Sequence, residues 1–353
     1  MRTMVIVVII VALAVSGCAR QDSPLQVAPF HVGFMIVDIP TEQGTVLTTA
    51  VWYPTQEVPR EYQYQNPHKT VGMVAFEGEP DRDNGPYPLI LYSHGYGAGA
   101  LTGIYLAEHC ASYGFVVAAP DHTDEFTVMR IRGGGDRDMK EYFKSAVELG
   151  RSGKDFDREA YAYRPRDISL VIDEMLRLNR TESLLQGTID EKAIGGMGHS
   201  LGGYTMLMVG GIDTEYHDPR ITALVLLSAG VFMFEDEEYH SITIPVMFMY
   251  GEKEGSQVRA DFVNDKAEDT ERAYENCSPP KFLLVIKGGN HFSFGQTVFQ
   301  EIWPGMGEKE GQKQADVICK YTLAFFELYL KGNLEAAKTL QSDDEMLVVY
   351  RKQ

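Results

Sequence analysis

Positive charge is what this chain has least of: 32 Lys and Arg stand against 50 Asp and Glu, a formal net charge of −18. Such a surface repels phosphate backbones and anionic headgroups, so nucleic acid is excluded as a partner, while the identity of a small substrate stays open. Cysteine is scarce too, four in 353 residues. None forms a Cys-x-x-Cys pair, and no histidines have His-x-x-x-His spacing, so nothing calls for a metal or another cofactor. Past Cys18 only Cys110, Cys277 and Cys319 remain, an odd number that permits one disulfide at most. Cys277 with Cys319, both late in the chain, is the pairing expected. The unbroken apolar run at residues 4–15 stops after twelve residues, too short for a membrane span. There is no internal repeat and no sign of a second domain.

That short run suits the core of a signal peptide. It follows the basic start Met1-Arg2-Thr3 and ends in Val15-Ser16-Gly17-Cys18, which resembles the lipobox of bacterial lipoproteins. The expectation is a lipoprotein signal peptide at 1–17, diacylation of Cys18 and a polar tether over 18–29. This predicts an exported protein with an N-terminal lipid anchor in a bacterial membrane. Ala19 after the cysteine resembles sorting to the outer membrane, on its periplasmic face. The alternative is a plain secretory signal in which Cys18 is incidental.

From residue 30 the pattern is that of one α/β domain running to 340, with a tail at 341–353. Residues 30–39 and 46–53 read as strands joined by the turn Thr41-Glu42-Gln43-Gly44. A polar insertion without clear periodicity occupies 59–86. The run Tyr87-Pro88-Leu89-Ile90-Leu91-Tyr92-Ser93 is apolar almost throughout, as in a strand buried on both faces. A helix over 101–113, a strand at 115–119 and an amphipathic helix over 164–178 follow, with a second insertion at 123–163. That insertion is expected to build a lid and substrate pocket; the alternative is a solvated excursion. Strands at 221–227, 244–250 and 282–286 and a closing helix at 315–330 complete the order. Strand and helix alternating in this way predict a mostly parallel central sheet with helices on both faces.

The chemistry centres on Gly198-His199-Ser200-Leu201-Gly202, preceded by the strand-like Ala193-Ile194-Gly195-Gly196-Met197. This is the spacing of a strand–Ser–helix elbow, where small residues two before and two after the serine let a strained turn close. A serine hydroxyl is a poor nucleophile unless a base takes its proton and an acid holds the base. His291, in Gly288-Gly289-Asn290-His291-Phe292, follows the strand at 282–286 and is the expected base. Glu254, in Tyr250-Gly251-Glu252-Lys253-Glu254, is the expected acid, with Glu252 the runner-up. The oxyanion formed on attack needs two waiting N–H donors. Leu201 supplies one, and the glycine turn His94-Gly95-Tyr96-Gly97 the other, at the Tyr96 N–H. His94 itself reads as an orienting or packing residue, and His122 as a pocket or loop-capping residue.

These stretches, with Ala50-Val51-Trp52-Tyr53-Pro54, Gly114-Phe115-Val116-Val117-Ala118-Ala119 and Arg164-Pro165-Arg166-Asp167-Ile168, resemble the platelet-activating-factor acetylhydrolase and dienelactone-hydrolase-like branch of the α/β-hydrolases. The resemblance covers roughly residues 30–334 and implies an α/β-hydrolase fold and a serine esterase acting on short-acyl or lipid esters. The stretch from Glu252 to His291 is also similar to bacterial cutinase-like polyester hydrolases. Acetylhydrolases of this type carry their acid just after the strand that follows the nucleophile helix. Here that place reads Leu227-Ser228-Ala229-Gly230, without a carboxylate, which moves the acid to Glu254. Dienelactone hydrolases use a cysteine nucleophile, and position 200 is serine.

The reading that results is a carboxylic-ester hydrolase working through an acyl-Ser200 intermediate on a small-molecule or lipid ester. An acyltransferase or polyester hydrolase would share every catalytic residue. A non-catalytic ligand-binding lipoprotein is the alternative of another class.

Overall fold

The computed structural model describes residues 28–64, 70–133, 138–254, 266–295 and 308–353. The lipobox, Cys18 and the tether through residue 27 lie outside them. The strands are β1 (His31–Pro40), β2 (Val46–Thr55), β3 (Arg60–Gln63), β4 (Val71–Phe76), β5 (Tyr87–Ser93), β6 (Val116–Pro120), β7 (Ile189–His199), β8 (Ile221–Leu227), β9 (Val246–Gly251), β10 (Lys281–Ile286) and β11 (Leu347–Lys352). They form one sheet in the order β11-β10-β9-β8-β7-β5-β6-β2-β1-β4-β3. From β6 through β5, β7, β8 and β9 to β10 every neighbouring pair is parallel. The antiparallel pairings β2–β6 and β10–β11 flank this block.

Alternation along each strand sends side chains to two separate cores. Leu89, Leu91, Leu224, Leu226, Phe248 and Val285 pack on one face with helices α3 (Tyr163–Arg180), α4 (Leu201–Met206) and α5 (Lys266–Asn276). Ile90, Tyr92, Val225, Leu227, Met249 and Leu284 pack on the other with α1 (Ile104–Ser112) and α6 (Glu308–Lys331). A parallel strand covered on both faces has no solvent side, which is why β5, β6, β9 and β10 read as continuous apolar runs. Between β5 and β7 the chain changes direction, since β6 lies to one side of β5 and β7 to the other. Loops leaving the carboxyl ends at such a switch point diverge and open a crevice.

Three expectations are corrected. Residues 341–353 are no free tail, because β11 closes one edge of the sheet on β10. The 59–86 insertion contributes β3 and β4, which extend the opposite edge through β1. Cys277 and Cys319 do not pair: the first is buried in the core under α5 and the second in the core under α6, with the sheet between them, and Cys110 is free as well.

Candidate active site

Parallel registers align the strand ends, so residues 94–97, 200, 228, 252–254 and 287–291 emerge along one edge. Ser93 lies beside Gly198, His199 beside Leu227, Leu227 beside Met249 and Ile286 beside Gly251. Between β7 and α4, Ser200 adopts φ 56° and ψ −119°, a left-handed conformation that is costly for a residue with a Cβ and is held by its surroundings. The flanking glycines are required by space. A Cβ on Gly198 would sit 2.2 Å from the Gly202 carbonyl oxygen, and one on Gly202 would sit 1.9 Å from that of Ser93.

His291 Nε2 lies 3.0 Å from Ser200 Oγ. On its other side, Nδ1 is 2.5 Å from Ser228 Oγ and 3.4 Å from Glu254 Oε2. The Ser228 hydroxyl also donates to Glu254 Oε2, and Glu254 Oε1 accepts the Gly251 N–H at 2.7 Å. Ser228 and Glu254 are buried, whereas about a quarter of the His291 side chain is exposed. Glu252, the runner-up, is an exposed side chain that accepts the Gly288 N–H at 2.8 Å, and so braces the histidine loop from outside. His199 braces it from inside, its Nε2 lying 2.8 Å from the His291 carbonyl oxygen.

The glycine turn is fixed from beneath. His94 Nε2 accepts the His122 N–H at 3.1 Å, so in the neutral ring the proton sits on Nδ1 and is donated to the Gly95 carbonyl at 2.9 Å. Burial, reinforced by the Arg164 charge, holds the His94 pKa well below its ordinary value, so that ring is neutral. In a trans peptide C=O and N–H point opposite ways, so anchoring Gly95 O to His94 aims the Tyr96 N–H away from that ring. The turn passes close over the nucleophile, since a Cβ on Gly95 would lie 3.2 Å from that of Ser200. The Leu201 N–H, at the first position of α4, has no carbonyl of its own helix to bond.

Below the turn lies a sealed polar cluster. Arg164 is fully buried; it donates to the His94 carbonyl at 2.9 Å, and pairs with Asp124 through both Nε and Nη2. Burial pushes the Asp124 carboxyl up, but Arg164 more than offsets this and leaves its pKa below the ordinary value. Beside it, Ser93 Oγ is 2.9 Å from His122 Nε2, and His122 Nδ1 is 2.8 Å from Asp167 Oδ2. Over the turn lies α2 (Met139–Ser152), the helix of the 123–163 insertion, with Ser145 Oγ 2.6 Å from Tyr96 Oη and the Tyr142 ring stacked on that of Tyr96. The insertion therefore contributes to the site and is no excursion into solvent.

Ser200, His291 and Glu254 are thus brought together, with the turn that carries Tyr96 close over the serine at Gly95 and Leu201 next to it in the chain. His122 does not line a pocket; it is sealed between Ser93 and Asp167. Sequence reasoning missed three participants. Ser228 stood where a carboxylate was expected and was read only as an absence. Arg164 occupies the buried stripe of α3 with Ile168, Val171 and Met175, and a charge on an apolar face signals a buried ion pair. His199 carries no signal beyond its place beside the nucleophile.

Comparison with known proteins finds a match to the family "Platelet-activating factor acetylhydrolase, isoform II" over residues 60–144 and 169–346. The chain is similar to the platelet-activating factor acetylhydrolase of Cavia porcellus, 24% identical over 95% of this chain and 85% of that protein. It is also similar to the Bos taurus protein of that name, 31% identical over 69% and 57%. Among solved structures, a ferulic acid esterase from Streptomyces cinnamoneus superposes with a TM-score of 0.65 at 22% identity, covering 88% of this chain and 93% of that one. That likeness concerns the fold.

Proposed function

The chain belongs to the platelet-activating factor acetylhydrolase isoform II family, and from that premise we propose a serine carboxylic-ester hydrolase that takes a short acyl group from a lipid or small-molecule ester. The observation that carries the reading is the 3.0 Å contact between His291 Nε2 and a serine hydroxyl raised on a positive-φ elbow.

Ser200 Oγ attacks the ester carbonyl while its proton passes to His291 Nε2. The negative charge that develops on the carbonyl oxygen is met by the N–H groups of Tyr96 and Leu201, which need no reorganisation at the moment of reaction. Collapse expels the alcohol, protonated by His291, and leaves acyl-Ser200. Water activated by the same imidazole then releases the acid. A diacylated Cys18 belongs to the same proposal, because a lipid anchor brings the domain to a membrane surface. Incorporation of labelled palmitate that Cys18→Ser abolishes is its test.

Hydrolysis of p-nitrophenyl esters from acetate to palmitate by the full chain in detergent, beside Ser200→Ala, tests the chemistry. Turnover that favours short acyl chains and vanishes in the variant supports the proposal. Absence of turnover on every ester by folded protein removes it in favour of acyl transfer or ligand binding.

A further inference from the structure

Resting on that reading, we propose that Ser228 is a positioning residue for His291, its hydroxyl bridging the imidazole to Glu254. The distances order the contacts. Ser228 Oγ is 2.5 Å from Nδ1, whereas the nearest Glu254 oxygen is 3.4 Å from the same nitrogen. Beyond about 3.2 Å an N–H···O contact is a weak hydrogen bond, so the acid acts on the base chiefly through the intervening hydroxyl. The proton inventory closes. The Ser228 O–H donates to the Glu254 carboxylate, and its lone pair accepts the Nδ1–H of His291. No proton leaves Ser228 during turnover. When His291 takes the Ser200 proton, the imidazolium charge is met by a hydroxyl polarised by a carboxylate.

Backbone conformation supports the assignment. Ser228 has φ 45°, a region where serine is strained and glycine is not. Its N–H is held by the Met249 carbonyl at 2.7 Å, so the side chain leaves the end of β8 in a fixed direction. Glu254 cannot easily close the gap itself, since its second oxygen is anchored on the Gly251 N–H and its own N–H on the Gly251 carbonyl at 3.0 Å. Among the described residues, the titratable groups facing the His291 ring are Glu254, from the loop after β9, and His199, from the end of β7, whose ring centroid is 4.9 Å away.

Ser228→Gly is the informative variant, because glycine accepts the positive φ and removes the hydroxymethyl group without straining the backbone. We expect kcat to fall on the order of 10–100-fold with KM little changed, as for loss of an orienting hydrogen bond on a catalytic base. In a Ser200→Ala background, which needs no turnover, the His291 titration followed by imidazole NMR should move down by about one pH unit as imidazolium stabilisation is lost. A second arm restores a direct acid: Ser228→Asp in Glu254→Gln should recover at least about tenfold of what Glu254→Gln alone loses. An unmoved His291 titration with unchanged kcat in Ser228→Gly overturns the proposal. A wild-type protein that labels with no fluorophosphonate and hydrolyses no ester instead overturns the esterase reading, and the NMR titration still decides the role of Ser228.

Discussion

Two hydroxyl–imidazole–carboxylate lines run side by side under one turn of this molecule. Ser200, His291, Ser228 and Glu254 form one, and Ser93, His122 and Asp167 the other, with imidazole-to-hydroxyl distances of 3.0 and 2.9 Å. Connectivity alone does not distinguish them. The first serine stands on a strained elbow close under the turn at Gly95, and its histidine is partly exposed. The second serine is the last residue of a fully buried strand, and its histidine is sealed in, with a pKa held well below the ordinary value by burial and by Arg164. A triad becomes a nucleophile through access, N–H donors and a base able to accept a proton. Without these, the same bonds are scaffolding for the turn above.

The sharpest way to break the comparison is to remove each hydroxyl. Ser200→Ala should lower kcat by on the order of 10⁵–10⁶, whereas Ser93→Ala should leave kcat within about tenfold and show its effect in thermal unfolding. Equal losses of kcat, measured on the best p-nitrophenyl ester, would make the buried line part of the chemistry. The acids come next. Glu254→Gln should cost on the order of 10²–10³ in kcat, more than loss of the Ser228 hydroxyl because the charge goes too, and less than the roughly 10⁴ of an acid bonded directly to its histidine. Glu252→Gln, a brace on the loop surface, should cost a few-fold. The reverse ranking would transfer the role.

Stability separates the lines in the opposite sense. Asp124→Asn strands the fully buried Arg164 without its counter-charge, a change worth about 3–5 kcal/mol of unfolding free energy. No single deletion in the exposed line should approach that, and urea titration of the set is the check. A cost below about 1 kcal/mol would mean that water reaches Arg164.

How much of this was readable in advance follows from what local sequence encodes. Apolar runs and glycine placement marked the order of elements along the chain through the elbow, because a doubly covered strand and a tight turn each leave a compositional mark at the residues concerned. Ser200, Glu254 and His291 stand just past the carboxyl ends of β7, β9 and β10, parallel strands of one sheet, so chain order points to one shared edge. Helix α5, with its acidic surface and few buried positions, left no such mark. Neither did β11, six residues of mixed exposure that are a strand only because β10 offers an open edge. The buried cluster was illegible because its members, Ser93, His94, His122, Asp124, Arg164 and Asp167, lie on three separate stretches of chain, and only the folded chain reveals that their polar groups satisfy one another.

Asp167 supplies the smallest and most specific contrast. Burial raises its pKa from 3.8 to about 7, against the opposing pull of Arg164 and with a further push from Asp124. In the unfolded chain the carboxyl ionises near its ordinary value, so between about pH 4 and 7 the native state holds a proton that the unfolded state has lost. By linkage, the contribution of this group to stability is full below about pH 4, falls as pH rises and levels off above about 7. Asp124, whose folded pKa is depressed, works in the opposite direction and loses its contribution as pH falls, but it is common to both proteins in the comparison. Asp167→Asn replaces the carboxyl with a permanently neutral group of the same shape facing His122, Arg164 and Asp124. Relative to that variant, the wild type should therefore lose roughly 1–3 kcal/mol of unfolding free energy as urea titrations step from pH 4 to pH 7. A difference that is flat with pH would mean that Asp167 is ionised throughout, a carboxylate accepting the Nδ1–H of a neutral His122. The buried line would then resemble the exposed one in charge as well as in connectivity, leaving access and the strained elbow as the features that separate them.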